Sequence, residues 1–130
     1  MRILVCGGRD FSNATLMKET LKEYFKEPSD VLIHGCAKGA DQLSESIVYE
    51  ISPDLSTIPS IQRYPADWKK YGKVAGAIRN KQMLDEGKPD CIIAFSGGAG
   101  TANMIEQARI AGVPVIIAGS PSNRMPLGSH

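Results

Sequence analysis

The residues best suited to chemistry in this chain lie in and beside three glycine-rich turns. Cys6-Gly7-Gly8-Arg9-Asp10, His34-Gly35-Cys36-Ala37-Lys38-Gly39-Ala40-Asp41 and Ser96-Gly97-Gly98-Ala99-Gly100-Thr101 each follow a short apolar run, and each opens a helical pattern. Glycine lets backbone approach a ligand closely, and a helix N-terminus presents free N–H groups and the positive end of its dipole. A parallel α/β sheet puts such turns side by side at the carboxyl ends of its strands. Three in one small chain make a nucleotide, or another phosphate-bearing small molecule, the leading ligand class.

The backbone amides of Gly97, Gly98 and Gly100 and the Thr101 hydroxyl could hold a phosphate at a helix start; the alternative is a tight turn that needs glycine for positive φ. The segment is not a P-loop, because no Gly-Lys-Ser/Thr follows at the required spacing. In the second turn Gly35 and Gly39 allow close helix–sheet packing, and Lys38 could meet a phosphate. Asp41 falls in the first helical turn, where it either stabilises the dipole or accepts a hydrogen bond from a ribose hydroxyl or a neighbouring loop. His34 ends its strand pointing at the cleft, as a satisfied structural side chain or as a ligand or proton-transfer group. Gly7 and Gly8 lead into Arg9 and Asp10, which read as a local ion pair or as an Arg fork for phosphate. Arg79 shares a helix face with Met83, so it reads as a phosphate clamp or a solvated surface cation. Trp68, beside Lys69, Lys70 and Tyr71, could stack on a base or cover a core edge.

Several classes of chemistry lack their residues. There is no HExxH, CxxC or spaced Cys/His cluster, so no metal is expected, and no cofactor is called for. G-x-S-x-G is absent. The chain of 130 residues carries a formal net charge of +1, which gives no support to generic duplex-DNA or membrane binding. No apolar run approaches the roughly 18 residues of a membrane span, and the N-terminus enters a strand at once, without a signal-peptide pattern. Three cysteines, an odd number without a CxxC pair, argue against a disulfide framework and for a reducing cytoplasm. Cys6 and Cys36 read as small buried fillers.

The elements that must position these residues follow from periodicity. Residues 2–7, Val31 to His34, Cys91 to Phe95 and Val113 to Ala118 read as strands, with a short further strand at Ile61 to Tyr64. Helices are predicted at Asn13 to Phe25, Lys38 to Ile51, Lys73 to Glu86 and Gly100 to Ala111. Ser12 or Asn13 would cap the first; Gly87 and Pro89 would end the third. Ser52 to Ser60 reads as a surface loop and Pro65-Ala66-Asp67-Trp68 as a turn. This alternation predicts a Rossmann-like, doubly wound α/β domain over residues 1–118, with a mostly parallel sheet of about five strands, helices on both faces, and a loose tail at 119–130.

Taken together, GGRDF, HG-x-A-x-GAD, PADW, AG-x-IRN-x-QM and AFSGGAGTA resemble the YspA-like family of the SLOG superfamily, named for the Smf/DprA proteins and the Lonely Guy enzymes. The resemblance runs from about residue 3 to 118. It implies a Rossmann-like fold with a nucleotide-type pocket, often used to sense nucleotide-derived signals. Lonely Guy enzymes cleave the N-glycosidic bond of nucleoside 5′-monophosphates; their marks are R-K-x-x-M and P-G-G-x-G-T-x-x-E. Here Arg79, Met83, Gly97, Gly98, Gly100 and Thr101 match, whereas Asn80 stands for the Lys, Ser96 for the Pro and Met104 for the catalytic Glu. Glu106 lies roughly 200° round the helix from Met104 and cannot substitute. The resemblance therefore implies a nucleotide-binding sensor or sequestering protein. Two alternatives stay open: a phosphoribohydrolase with Asp10, Asp41 or Asp67 in place of the missing Glu, and a DprA-like single-stranded nucleic-acid binder. By analogy with Lonely Guy relatives a homodimer is expected.

Overall fold

The computed structural model describes residues 1–52 and 58–119. β1 (Arg2–Cys6), β2 (Val31–His34), β3 (Ser60–Arg63), β4 (Cys91–Ala94) and β5 (Val115–Ile117) form one sheet in the order β3-β2-β1-β4-β5. Every pairing is parallel, and Leu4 of β1 sits opposite both Ile33 and Ile92. The connections contain α1 (Ala14–Leu21), α2 (Ala40–Ile51), α3 (Trp68–Tyr71), a 3-10 turn at Gly72–Val74, α4 (Ala75–Gly87) and α5 (Ala99–Ile110).

Alternation along the strands sends successive side chains to opposite faces. Ile3 and Val5 bury against Met17 and Leu21 of α1 and Ile47 and Val48 of α2. Leu4 and Cys6 bury against Met83 of α4 and Met104 and Ala108 of α5. Two apolar layers thus sandwich a sheet covered on both sides, which is why β4 reads as an uninterrupted apolar run. Each fully buried Leu, Ile or Met side chain stabilises by roughly 1.5–3 kcal/mol. The doubly wound, Rossmann-like fold predicted above is the fold observed.

The boundaries differ where local geometry overrides periodicity. Asn13 caps α1, accepting the Leu16 N–H, but the helix stops at Leu21. Glu23 and Tyr24 then bond to Thr20 and Leu21, three residues back, so the chain tightens while Tyr24 and Phe25 still reach the core. At the end of α4 the left-handed residue is Lys88, at φ +47, and not a glycine. Gly87 serves packing instead: a Cβ there would press on Ile33. The turn at 65–68 contains the start of α3, capped by the Asp67 carboxylate on the Lys70 N–H at 3.1 Å. The loop expected at 52–60 lies largely, and the tail at 119–130 almost wholly, outside the described residues.

Candidate functional site

β2 and β3 extend from one side of β1, and β4 and β5 from the other, so the loops after β1 and β4 diverge at their carboxyl ends. Crevices at such reversals are where open α/β sheets take ligands. Here a cleft of about 1040 Å³ opens at that point. All three glycine turns line it, and α3 and α4 contribute Trp68, Gly76 and Arg79 to its wall.

The turns are locked to one another through backbone. The Gly8 N–H donates to the Ser96 carbonyl at 2.8 Å, and a Cβ on Gly8 would meet the Gly97 Cα at 2.9 Å. Gly39, at φ +80, packs on the Gly8 and Arg9 backbone, and the Ala40 N–H donates to the Gly8 carbonyl at 3.1 Å. Side chains there would force the loops apart. Gly98 and Gly100 differ: a Cβ at either would meet nothing within 4 Å. Gly98 has φ −103, so positive φ does not explain it.

Two helix N-termini reach the cleft, and they are not equivalent. That of α2 is occupied: Ala40 and Gln42 donate to Gly8 and Ala37 carbonyls, and Asp41 sits in its first turn. That of α5 is open. Gly98 caps it without a side-chain bond, and the N–H groups of Gly97, Gly98, Ala99, Gly100 and Thr101 have no acceptor among the described residues. Thr101 is buried, with its hydroxyl against Gly97.

Arg79 is half-buried and braced. It donates through Nη1 to the Gly35 carbonyl and through Nε to Asn80 Oδ1 at 3.0 Å, which leaves Nη2 without a partner among the described residues. Asn80 is a buried hub that donates to the Gly100 carbonyl at 3.2 Å and to Asn103 Oδ1 at 3.0 Å. Gln107 continues the network to Asn103 and to the Ala77 carbonyl. This polar seam ties α4, and with it Arg79, to the open end of α5. Asn103 and Gln107, spaced i,i+4, were not singled out from sequence; that spacing on one helix face was the signal available.

Asp41 is buried, and its Oδ2 accepts the Gly35 and Ala37 N–H groups at 3.1 and 3.2 Å. Among the described residues Oδ1 has no partner and no buried side-chain oxygen is left unsatisfied, so Oδ1 opens to the cleft. Burial pushes the carboxyl above its ordinary value, opposed by the Ala37 N–H, Arg79, His34 and the Gly35 N–H. Burial, reinforced by Asp41 and opposed by Arg79, pushes the Cys6 thiol up to about 12. Cys6 is therefore a neutral thiol at the cleft floor.

Arg9, Asp10 and Lys38 are exposed on the cleft, and Arg9 and Asp10 form no ion pair with each other. Trp68 stands at the rim, 58% exposed, over Gly76. Phe11, the last residue of GGRDF and given no role of its own from the sequence, also lines the cleft, its ring 5.0 Å from that of Phe95. Met104 lies at the base, buried among apolar side chains, and Glu106 points elsewhere.

Three of the sequence-predicted residues do not face this space. His34 turns into a neighbouring depression of about 250 Å³, where its Nε2 lies 2.8 Å from Glu45 Oε1. Gly39 is spent on loop packing, and Asp67 on capping α3. Cys36 is not a buried filler: it is half-buried, has φ +65 and borders both spaces. Among the described residues no three His, Cys, Asp or Glu side chains gather as metal ligands, and no helix is long and apolar enough to cross a membrane.

Residues 1–47 match the YspA, cpYpsA-related SLOG family. The Gene 61 protein of Mycobacterium phage D29 is 33% identical over 120 residues, an alignment covering 88% of this chain and 94% of the phage protein. The chain belongs to one family with that protein. The SLOG match contains the first two glycine turns and Asp41; Arg79 and residues 96–101 lie beyond it. Family and Rossmann-like fold together support a general ligand-binding role of the nucleotide type.

Proposed function

We propose that this protein binds a nucleotide or nucleotide-derived small molecule in the cleft, as a sensor or sequestering protein. The observation that carries the reading is the open N-terminus of α5: five successive N–H groups without acceptors among the described residues, beside a half-buried Arg79 whose Nη2 has no partner among them. Oriented N–H groups, a helix dipole and a guanidinium fork are the usual partners of a phosphate. Gly97, Gly98, Gly100 and Thr101 hold the phosphate and Arg79 clamps it. The α2 end, filled by Asp41, is unsuited to a second phosphate; Asp41 Oδ1 instead suits a sugar hydroxyl. Trp68 at the rim offers a face for the base. Gly7, Gly8, Arg9, Gly35 and Lys38 complete the pocket, and Asn80 fixes its geometry from behind.

The phosphoribohydrolase alternative has no comparable support, since Met104 brings no carboxylate to the base of the cleft. A single-stranded nucleic-acid binder would need a cationic track, whereas the carboxylates of Asp10 and Asp41 stand among the cleft's cations. We also propose a cytoplasmic homodimer: free thiols suit a reducing compartment, and light scattering measures the assembly.

The test is thermal denaturation with nucleoside mono- and diphosphates, cyclic nucleotides and ADP-ribose. A ligand bound only by the native state raises the melting temperature by mass action. At least one phosphate compound is expected to do so, and its nucleoside far less. No shift with any of them at millimolar concentration would remove the reading; steep loss of oligonucleotide affinity with salt would favour the nucleic-acid alternative.

A further inference from the structure

His34 begins a chain of contacts that ends in the cleft. Its Nδ1 accepts the Cys36 N–H at 3.0 Å, and its Nε2 lies 2.8 Å from Glu45 Oε1. A backbone N–H only donates, so Nδ1 carries a lone pair and the neutral ring holds its proton on Nε2, toward Glu45. Cys36 is held in the left-handed region at φ +65, a conformation a residue with a Cβ keeps only when its surroundings enforce it. The peptides around it run straight into the ligand cleft. The Gly35 and Ala37 N–H groups bind Asp41, and the Gly35 carbonyl accepts from Arg79.

The charged and titratable groups around the ring among the described residues are Glu45 and Asp41 from α2, Arg63 from β3 on the far side of Glu45, the Tyr49 phenol of α2 that lines the same depression and interacts with Arg63, and the Cys36 thiol from the loop. Arg63 grips Glu45 through Nε at 2.9 Å and Nη2 at 2.7 Å. Those bonds, aided by His34, hold the Glu45 carboxyl down to about 2. Glu45 therefore stays a carboxylate and keeps the Nε2 proton. A second proton on the ring has one place to go, Nδ1, where it would face the Cys36 N–H donor to donor.

We propose that His34 is a pH-responsive positioning residue for the cleft wall: the neutral ring holds Cys36, and through Gly35 the Arg79 guanidinium, in the ligand-ready arrangement, and protonation releases them. The effect on ligand affinity rests on the function proposed above; the coupling within the protein does not.

The experiment is a ¹⁵N NMR titration of the full chain without ligand, from about pH 8 to about 5.5, the range in which imidazoles change charge. The Gly35, Cys36 and Ala37 amides and the Arg79 Nε–H are expected to move with the midpoint of the His34 ring. In His34→Gln, whose amide can accept from Cys36 and donate to Glu45, the Cys36 amide should stay flat, whereas the Gly35 and Ala37 amides also report their own bond to Asp41. A ring that does not titrate in this range, a Cys36 amide that ignores it, or a Cys36 shift retained in His34→Gln would each overturn the proposal. The second arm measures binding of ADP-ribose, whose phosphates keep their charge across this range. Affinity should fall about fivefold or more in the native chain, and stay within about twofold in His34→Gln. Flat affinity with moving amides would overturn the ligand half of the proposal. No binding of ADP-ribose or of any other compound in the nucleotide panel at any pH, with the amides still titrating, would instead count against the proposed function and leave the positioning role supported.

Discussion

Arg79 donates to the carbonyl oxygen of Gly35, so a side chain of α4 is braced on the loop after β2 before any ligand arrives. A guanidinium fixed on one edge loses little freedom when its other edge meets a phosphate. Arg79→Ala is expected to weaken binding of the identified ligand by roughly 1.5–3 kcal/mol, the scale of a charge-assisted hydrogen bond. Arg79→Lys should recover only part of that, because an ammonium cannot reproduce the fork. The bracing adds a consequence that a solvated surface Arg would not have: Arg79→Ala should also cost about 1 kcal/mol of stability. Calorimetry and denaturant melts separate the two losses. Unchanged affinity in the folded variant would take Arg79 out of the site.

Gly100 gives a contrasting case. It lies in the first turn of α5, where a Cβ would meet no atom of the described residues within 4 Å. Alanine there is expected to stabilise the fold by roughly 0.5–1 kcal/mol, because glycine is the poorer helix former. The same methyl would project toward a phosphate held on the turn, and the expected loss of affinity is about tenfold, on the scale of overpacking a filled site. Gain of stability without loss of binding would show that no ligand packs against this turn.

Much of this architecture is legible in the chain, and for a physical reason. β4 is apolar throughout because both its faces are covered, and each glycine turn stands where a strand must hand over to a helix. His34 is instructive. Alternation puts it on the same side of β2 as Leu32, which packs in the α1–α2 layer, whereas Cys6 and Arg79 lie on the α4 side. Strand parity thus aimed His34 at Glu45, although proximity to a glycine turn suggested the cleft. Asn80 stands where the Lonely Guy pattern has Lys and reads with the ligand-binding residues, yet its bonds among the described residues all run to protein. Single-position arguments missed that seam because it depends on two helices meeting. The end of α1 was not legible either, since the switch to three-residue bonds leaves the apolar pattern intact.

Asp41 predicts a pH dependence of stability. Its folded-state pKa is raised above the ordinary 3.8, chiefly by burial. A carboxyl shifted upward contributes stability that is fully present below the unfolded value and is lost as pH rises through the folded value. Asp41→Asn keeps an acceptor for Gly35 and Ala37 without the buried charge. The variant should therefore gain on the native chain as pH climbs from below 3.8 through the raised folded value, and the gap should level off beyond it. Glu45 has the opposite sign: held down to about 2 by Arg63, it contributes stability above its ordinary 4.5 that is lost as pH falls. Urea melts at acid and neutral pH check the difference. A gap that shrinks with rising pH would mean that Asp41 is stabilised as a carboxylate. If Asp41 Oδ1 takes a sugar hydroxyl, the same variant should bind ribo- and deoxyribonucleotides more nearly alike than the native chain does.

The remaining prediction concerns whether the bound molecule is cut. Met104 is 1% exposed and packs with Met83 and Ala108 at the base of the cleft. No carboxylate occupies that place, so the native chain should release no free base from AMP beyond the spontaneous rate. Introducing one is expected to be costly. Met104→Glu removes a packed thioether and puts a carboxyl in apolar surroundings, which should destabilise by on the order of 3 kcal/mol and push that carboxyl toward its neutral form. The variant should therefore cleave slowly at best, and faster as pH rises and the carboxylate forms. Chromatography of base released from AMP by both proteins decides the matter, with circular dichroism to establish that the variant is folded. Rapid release by the native chain, abolished by Asp41→Asn, would make Asp41 the acting carboxylate and replace the binding reading with a hydrolase.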